Sequence, residues 1–315
     1  MPWLESDRMK QLAFNTQSLE TQRKVVIEEF KQRYLNQPYG DVWLKMRPLA
    51  YEKHPYQWAT IGKNLTQIEE AKMEDVKAFF NQFYVPSNAI LVVAGAVKTA
   101  EVKKMVEQWF GSIPSGVKPV RNLPQEPTQL QEKRQIVEAN VPLNALYMAF
   151  HMPARHDAGY YAADLLSDIL SRGNSSRLYR SLLKEQQLFS DINAYHLGSI
   201  DPGLFIVEGK PAPGVSMEAA EQAIWQELDR LKNETVVEEE LTKVKNKLES
   251  TMKFGEMSLL DKAMNLAYFE LLGNAEDLNH ETGKYMAVTA QEIQEQAQQI
   301  FRKENASILS YLAKN

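Results

Sequence analysis

The sequence predicts an α+β protein of two homologous units, each an antiparallel-rich sheet with helices packed on one face. Three observations predict it. Strand-like segments arrive in groups with helices grouped between them, four prolines crowd one central stretch, and a helix-turn-strand pattern occurs twice. A length of 315 residues suits two cores rather than one. With 44% hydrophobic and 24% charged residues, the composition is that of a folded chain.

Taken in order, residues 19–34 combine helix formers with an apolar stripe through Leu19, Val26 and Phe30, which predicts an amphipathic helix. A second helix over 74–84 ends ahead of Pro86, because proline disfavours the helical conformation in the residue before it. Residues 89–97, AILVVAGAV, form a continuous apolar run rich in valine and predict a strand buried on both faces. Thr99 then caps a helix that Gly111 closes, and Pro114, Pro119, Pro124 and Pro127 mark a semi-rigid connection. The predicted division is therefore a first unit over 1–112, a linker over 113–128 and a second unit over 129–315. In the second unit, strands are expected over 131–139, 145–153, 192–199, 203–211 and 307–312, with helices over 159–170 and 175–186. The long helical region before the last strand carries the capping-box pairs Thr235/Glu238 and Thr289/Glu292.

The repeat sets residues 74–95 against 291–312 without a gap. Val76 matches Ile293, Phe83 matches Ile300, Tyr84 matches Phe301, Asn88 matches Asn305 and Ala89 matches Ala306. If the second unit starts near residue 129, the same displacement puts the start of the first about ninety residues before Met1. The expectation is a first unit truncated at its N-terminal side, lacking its opening strands and helix.

With 36 basic against 41 acidic side chains, a net charge of -5, the chain has no positive excess to hold a phosphate backbone, so nucleic acid is excluded as a partner. The absence of cysteine removes disulfides, thiolate zinc ligands and cysteine nucleophiles. No apolar run reaches the length of about 18 residues that reads as a transmembrane segment. The opening residues are charged where a secretory segment would be apolar. The compartment stays open between periplasm and cytoplasm. Among the histidines at 54, 151, 156, 196 and 280 only His151 and His156 are close, and a spacing of five across a proline does not put both on one helix face. No G-x-S-x-G, P-loop or G-x-G-x-x-G is present. Glu29 stands out because it follows Val25 and Val26 by one helical turn, so its carboxylate either sits at the solvent edge or serves as a ligand.

The segments WLESDRM, QRKVVIEEF, HPYQWATIG, FFNQFYVPSNAILVVAG, MPARHDAGYYAADLLSDIL and SSRLYRSLL occur in an order that resembles insulinase-like (pitrilysin-type) zinc metallopeptidases. The similarity is to the shorter bacterial group that includes relatives of the mitochondrial processing peptidase. It implies two homologous α+β units and a zinc ion held by an inverted H-x-x-E-H motif, with a glutamate about 75 residues downstream as third ligand. The chain contains no H-x-x-E-H. The VVIEEF segment aligns with the downstream position, so the resemblance makes Glu29 the metal ligand of the intact protein. No catalytic residue is then expected in this chain, and Zn²⁺ is expected to be absent from it.

Two departures bear on partners. Gln22 stands where relatives commonly carry a second glutamate, and Leu183 and Ser190 stand where the family places a substrate-holding arginine and tyrosine. The implied activity is that of a zinc endopeptidase subunit acting on peptides or unfolded segments. It would work as a homo- or heterodimer whose homologous partner supplies the arginine and tyrosine, and the chain by itself is expected to be inactive. The alternatives are a non-catalytic structural or peptide-binding subunit and, more remotely, a helical adaptor.

Overall fold

The computed structural model describes residues 2–314. Its first elements are α1 (Pro2–Lys10), α2 (Thr16–Phe30), α3 (Val42–Ala50), α4 (Leu65–Glu69), α5 (Met73–Phe83) and α6 (Thr99–Phe110). Then come β1 (Lys133–Ala139), β2 (Ala145–His151), α7 (Tyr160–Ser171), β3 (Phe189–Leu197) and β4 (Leu204–Pro211). The chain ends with α8 (Met217–Asn233), α9 (Glu238–Gly255), α10 (Leu259–Leu272), α11 (Glu281–Ala287), α12 (Ala290–Ile300) and β5 (Ala306–Ala313). Two π-helical stretches, Lys31–Leu35 and Tyr179–Glu185, interrupt the regular pattern. Among the described residues no helix is long and apolar enough to cross a membrane.

The chain divides into two compact units, neither continuous in sequence. One comprises residues 1–33, 60–123 and 252–280, the other 34–59, 124–251 and 281–315. The sequence reading placed 34–59 with the first unit and 252–280 with the second, and packing allocates them the other way. The reason for the first is visible in the core. Val42, Met46, Ala50 and Tyr51 of the α3 region are buried with Ala145, Tyr147, Ala149, Leu204, Ile206, Leu309 and Tyr311 of the sheet.

That sheet has the order β1-β5-β2-β4-β3, with only the β1/β5 pair parallel. The apolar run of β2, ALYMAFH, occupies the centre because both of its faces are buried, whereas the charged and largely exposed β1 lies at an edge. On one face Phe150 meets Trp225 of α8 at 5.6 Å and Phe301 at 5.3 Å, and Phe205 meets Phe301 at 5.1 Å, all edge to face. Helices α7, α8 and α12 carry this face. On the opposite face α3 lies over β2, β4 and β5, and Tyr311 donates its hydroxyl to Asp41 at 2.5 Å.

In the other unit Phe14 packs edge to face on Phe80 at 5.2 Å, Phe80 stacks on Tyr84 at 4.9 Å, and Arg23 donates to the Ala71 carbonyl at 2.5 Å. The predicted strand over 89–97 is not one. Its residues belong to no ladder, and Ile90, Leu91, Val93 and Val97 are exposed. A strand is stabilised by neighbours, and every strand of the described sheet belongs to the other unit. Two caps also differ from expectation. Lys98, not Thr99, flanks α6, and the Thr235 hydroxyl donates to Gln294 at 3.0 Å while α9 starts at Glu238. The Thr289/Glu292 box forms as the sequence predicts.

The repeat persists in detail. Helices α5 and α12 have the same length and the same displacement of 217 positions, each followed by a single 3₁₀ turn, Pro86–Asn88 and Lys303–Asn305. Asn88 donates to the Phe83 carbonyl at 3.0 Å, and Asn305 donates to the Ile300 carbonyl at 2.8 Å. The same displacement relates the first residue of α3 to that of α10 and superposes Lys45 on Lys262, Leu49 on Leu266, Ala50 on Ala267 and Tyr51 on Tyr268. The segments exchanged between the two units are thus counterparts of each other.

Candidate functional site

Glu29 stands in the last turn of α2, just before the π-helical stretch. The helix buries Phe30 and turns Gln22, Val25 and Glu29, at positions i, i+3 and i+7, to one exposed side. The Glu29 side chain is 52% exposed, and its carboxylate lies 3.9 Å from the Arg33 guanidinium, one turn onward. Of the two apolar residues that singled Glu29 out, Val25 is exposed and Val26 half-buried.

The donor set tests whether zinc fits. Zinc takes four ligands, typically three from the protein in a catalytic site. Among the described residues no group of three or more His, Asp or Glu side chains could hold a metal. One carboxylate beside a guanidinium does not make such a site, so no chemical step is assigned to zinc in this chain.

Three of the histidines, His54, His151 and His196, are engaged in the fold, while His156 and His280 are exposed. His54 is buried with Nε2 3.0 Å from Asp201, and its Nδ1 accepts from the Tyr56 amide at 3.2 Å. His151 sits 2.8 Å from the Ala50 carbonyl, which requires Nε2 to carry the proton. Burial pushes its pKa down, outweighing that hydrogen bond and the Glu126 charge. His196 lies 2.9 Å from Asp164, and its Nδ1 accepts from the Gly198 amide at 3.0 Å. Tyr285 donates to the other oxygen of Asp164 at 2.5 Å. Burial alone would raise the Asp164 pKa, but His196 and Tyr285 hold it below the ordinary value.

Two further polar clusters had no signal in the sequence, because their members are far apart along the chain. Glu126 accepts three consecutive backbone amides, from Glu52, Lys53 and His54, at 2.7, 2.9 and 2.8 Å. These donors overcome desolvation and hold its carboxyl below the usual range. Arg155 and Glu281, both buried, pair at 2.5 Å, and Tyr161 donates to Glu281 at 2.9 Å. Leu183 is half-buried in the π-helical stretch, and Ser190 donates to the Lys210 carbonyl at 3.1 Å. Neither offers a guanidinium or a phenol. Arg177 is clamped by Glu240 at 2.8 Å. A cleft of about 610 Å³ beside it is lined by Arg180, Glu227, Arg230 and Lys243 among others, and Glu227 is already bound to Ser181 and Arg230.

Comparison with known proteins places these features. The family model described as peptidase M16 inactive domain matches residues 71–248. The zinc protease PqqE of Helicobacter pylori is 30% identical over 227 residues, which cover 71% of this chain and 51% of that protein. The chain thus matches about half the length of that relative. The uncharacterized zinc protease YmxG of Bacillus subtilis is 23% identical over 300 residues, 94% of this chain and 71% of that one. Among solved structures, a protease from Helicobacter pylori superposes with a TM-score of 0.91 at 24% identity, covering 98% of this chain and 76% of its own, a likeness of fold. With a family match over more than half of its residues, the chain belongs to the insulinase-like M16 peptidase family.

Proposed function

We propose that this chain is part of a zinc metalloendopeptidase of the M16 family, acting on peptides or unfolded segments. Glu29 contributes one carboxylate to a metal site whose histidines and general base come from polypeptide outside the chain. In this reading the unit carrying α2 holds the metal ligand and the unit built on the five-stranded sheet does not, while a homologous partner supplies the substrate-holding arginine and tyrosine. The observation that carries it is Glu29 itself. It is an exposed carboxylate at the end of a helix, in the segment that resembles the family's third-ligand segment. The match to about half of a zinc protease supports the same reading.

The test is metal analysis of the chain alone and after joining to a relative's H-x-x-E-H segment. The chain alone is expected to bind no stoichiometric zinc and to cleave no peptide. The joined protein is expected to bind one zinc, and Glu29→Gln to lose it. Stoichiometric zinc in the chain alone, or retention of zinc by the joined Glu29→Gln variant, overturns the assignment.

A second reading, a non-catalytic peptide-binding subunit, is favoured by Leu183 and Ser190, since Ser190 is engaged with the Lys210 carbonyl. Under it, Glu29→Gln changes neither metal content nor peptide affinity.

A further inference from the structure

Strand β1 closes one side of the five-stranded sheet and pairs there with β5 alone. The Ala139 carbonyl accepts the Lys314 amide on the β5 side. Main-chain groups alternate in direction along a strand, so those of Lys133, Gln135, Val137 and Ala139 serve β5, and those of Arg134, Ile136 and Glu138 face outward. The side chains of these three residues share the face on which Arg134 reaches Glu221 of α8, whereas Val137 and Ala139 pack on the α3 side. Ile136, the midpoint of Lys133–Ala139, is 68% exposed. Arg134 spends three of its five N–H donors on Glu221 and Glu132, so two remain. Among the described residues the exposed Glu138 carboxylate has no partner.

We infer that β1 pairs antiparallel with β1 of a second copy of this chain, about a two-fold axis at Ile136, and joins the two sheets into one. An axis perpendicular to the sheet keeps equivalent faces together and sets outward-facing residues opposite one another. With Ile136 opposite itself the whole strand is paired, and Arg134 of each copy faces Glu138 of the other. Each of these outward pairs exchanges two main-chain hydrogen bonds. The exposed isoleucines meet at the axis, and each unpartnered carboxylate reaches the two unused guanidinium donors. Sliding the copies by two residues one way sets Glu132 against Glu138, and sliding them the other way sets Ile136 against Glu138. Charges on an edge strand ordinarily discourage pairing, and here their order selects a single register. Ser190 lies on β3 at the opposite edge of the sheet. This contact therefore supplies nothing to a substrate site and is separate from a partner bearing the arginine and tyrosine.

The test uses the whole chain, which has no cysteine of its own. Sedimentation is expected to show a dimer that dissociates on dilution. Ile136→Lys and Glu138→Arg are each expected to raise the dissociation constant by about tenfold or more, with the circular dichroism of the chain unchanged. Ile136→Cys reads the register directly. A residue that faces itself in a hydrogen-bonded pair has its Cα atoms about 5.5 Å apart, within the span of a disulfide, so mild oxidation is expected to link this variant into covalent dimers. Glu138→Cys lies four positions from its own copy, roughly 13 Å along the strand, and is expected to stay unlinked. A wild-type chain that is monomeric up to about 0.1 mM overturns the inference. So does a dimer that Ile136→Lys leaves intact, because another surface then holds it, and so does linkage of Glu138→Cys as readily as Ile136→Cys. No metal enters the experiment, so its failure leaves the zinc assignment standing, and loss of that assignment leaves this one.

Discussion

Asn305 donates one amide group to the carbonyls of both Ile300 and His151, at 2.8 and 3.0 Å, and so ties the end of α12 to the end of β2. Its counterpart Asn88 has only the first of these bonds and is exposed. Asn305→Ala leaves buried carbonyls unpaired and is expected to cost about 2 kcal/mol, against less than about 1 kcal/mol for Asn88→Ala. Urea unfolding of both variants measures the difference, and equal effects would refute it.

The buried pair of Arg155 and Glu281 gives an asymmetric expectation. Arg155→Met strands a carboxylate away from water and should cost about 3–5 kcal/mol. Adding Glu281→Leu removes the stranded charge and should restore at least half of that loss. A double variant no more stable than the single one contradicts this account.

Gly203 precedes β4 at the turn from β3. A side-chain carbon there would lie 2.3 Å from the Leu197 carbonyl oxygen, a backbone atom that cannot swing aside. Gly203→Ala should therefore lower the thermal midpoint, with a cost of about 1–3 kcal/mol. Gly214, with nothing within 4 Å of an added carbon, lies at φ +87 and should show only the backbone penalty of about 1 kcal/mol.

Acid should destabilise the sheet unit in two stages. The His151 pKa is lowered in the folded protein, so below its ordinary value of 6.5 the unfolded chain binds more protons and stability falls as pH drops. The Glu126 pKa is lowered from 4.5, so its contribution is whole above 4.5 and is lost as pH falls through the folded value. Urea midpoints between pH 8 and about pH 3 should show both stages. Glu126→Gln should diminish the lower one, to which the lowered carboxyl of Asp164 also contributes, and weaken the protein at neutral pH, because an amide cannot accept three backbone donors. A stability that is flat below pH 6.5 would contradict the first stage.

Much of the fold was legible because its signals are local. Thr289 and Glu292 mark the start of α12, and the continuous apolar run of β2 marks a central strand. The strand expected over 89–97 failed for the converse reason. Apolar composition shows that a segment seeks burial, while pairing depends on chain far away. The α3 segment shows the same limit, since amphipathicity fixes which face of a helix is buried and leaves open what buries it. At the candidate site, Glu29 was distinguished by its spacing from Val25 and Val26 and by the resemblance of its segment to a ligand segment. The grouping of Asp164, His196 and Tyr285 exists only after folding brings three separate elements together.

The hydroxyl of Tyr311 reaches Asp41 across 270 positions. A ribosome therefore makes the α3 region 270 positions ahead of the strand on which it rests. Throughout elongation the oily side of that helix, with Val42 and Met46, stays unsheltered, and neither half can mature independently of the other. Such distant closure slows assembly and lengthens the interval in which the nascent polypeptide is open to chaperones and to aggregation.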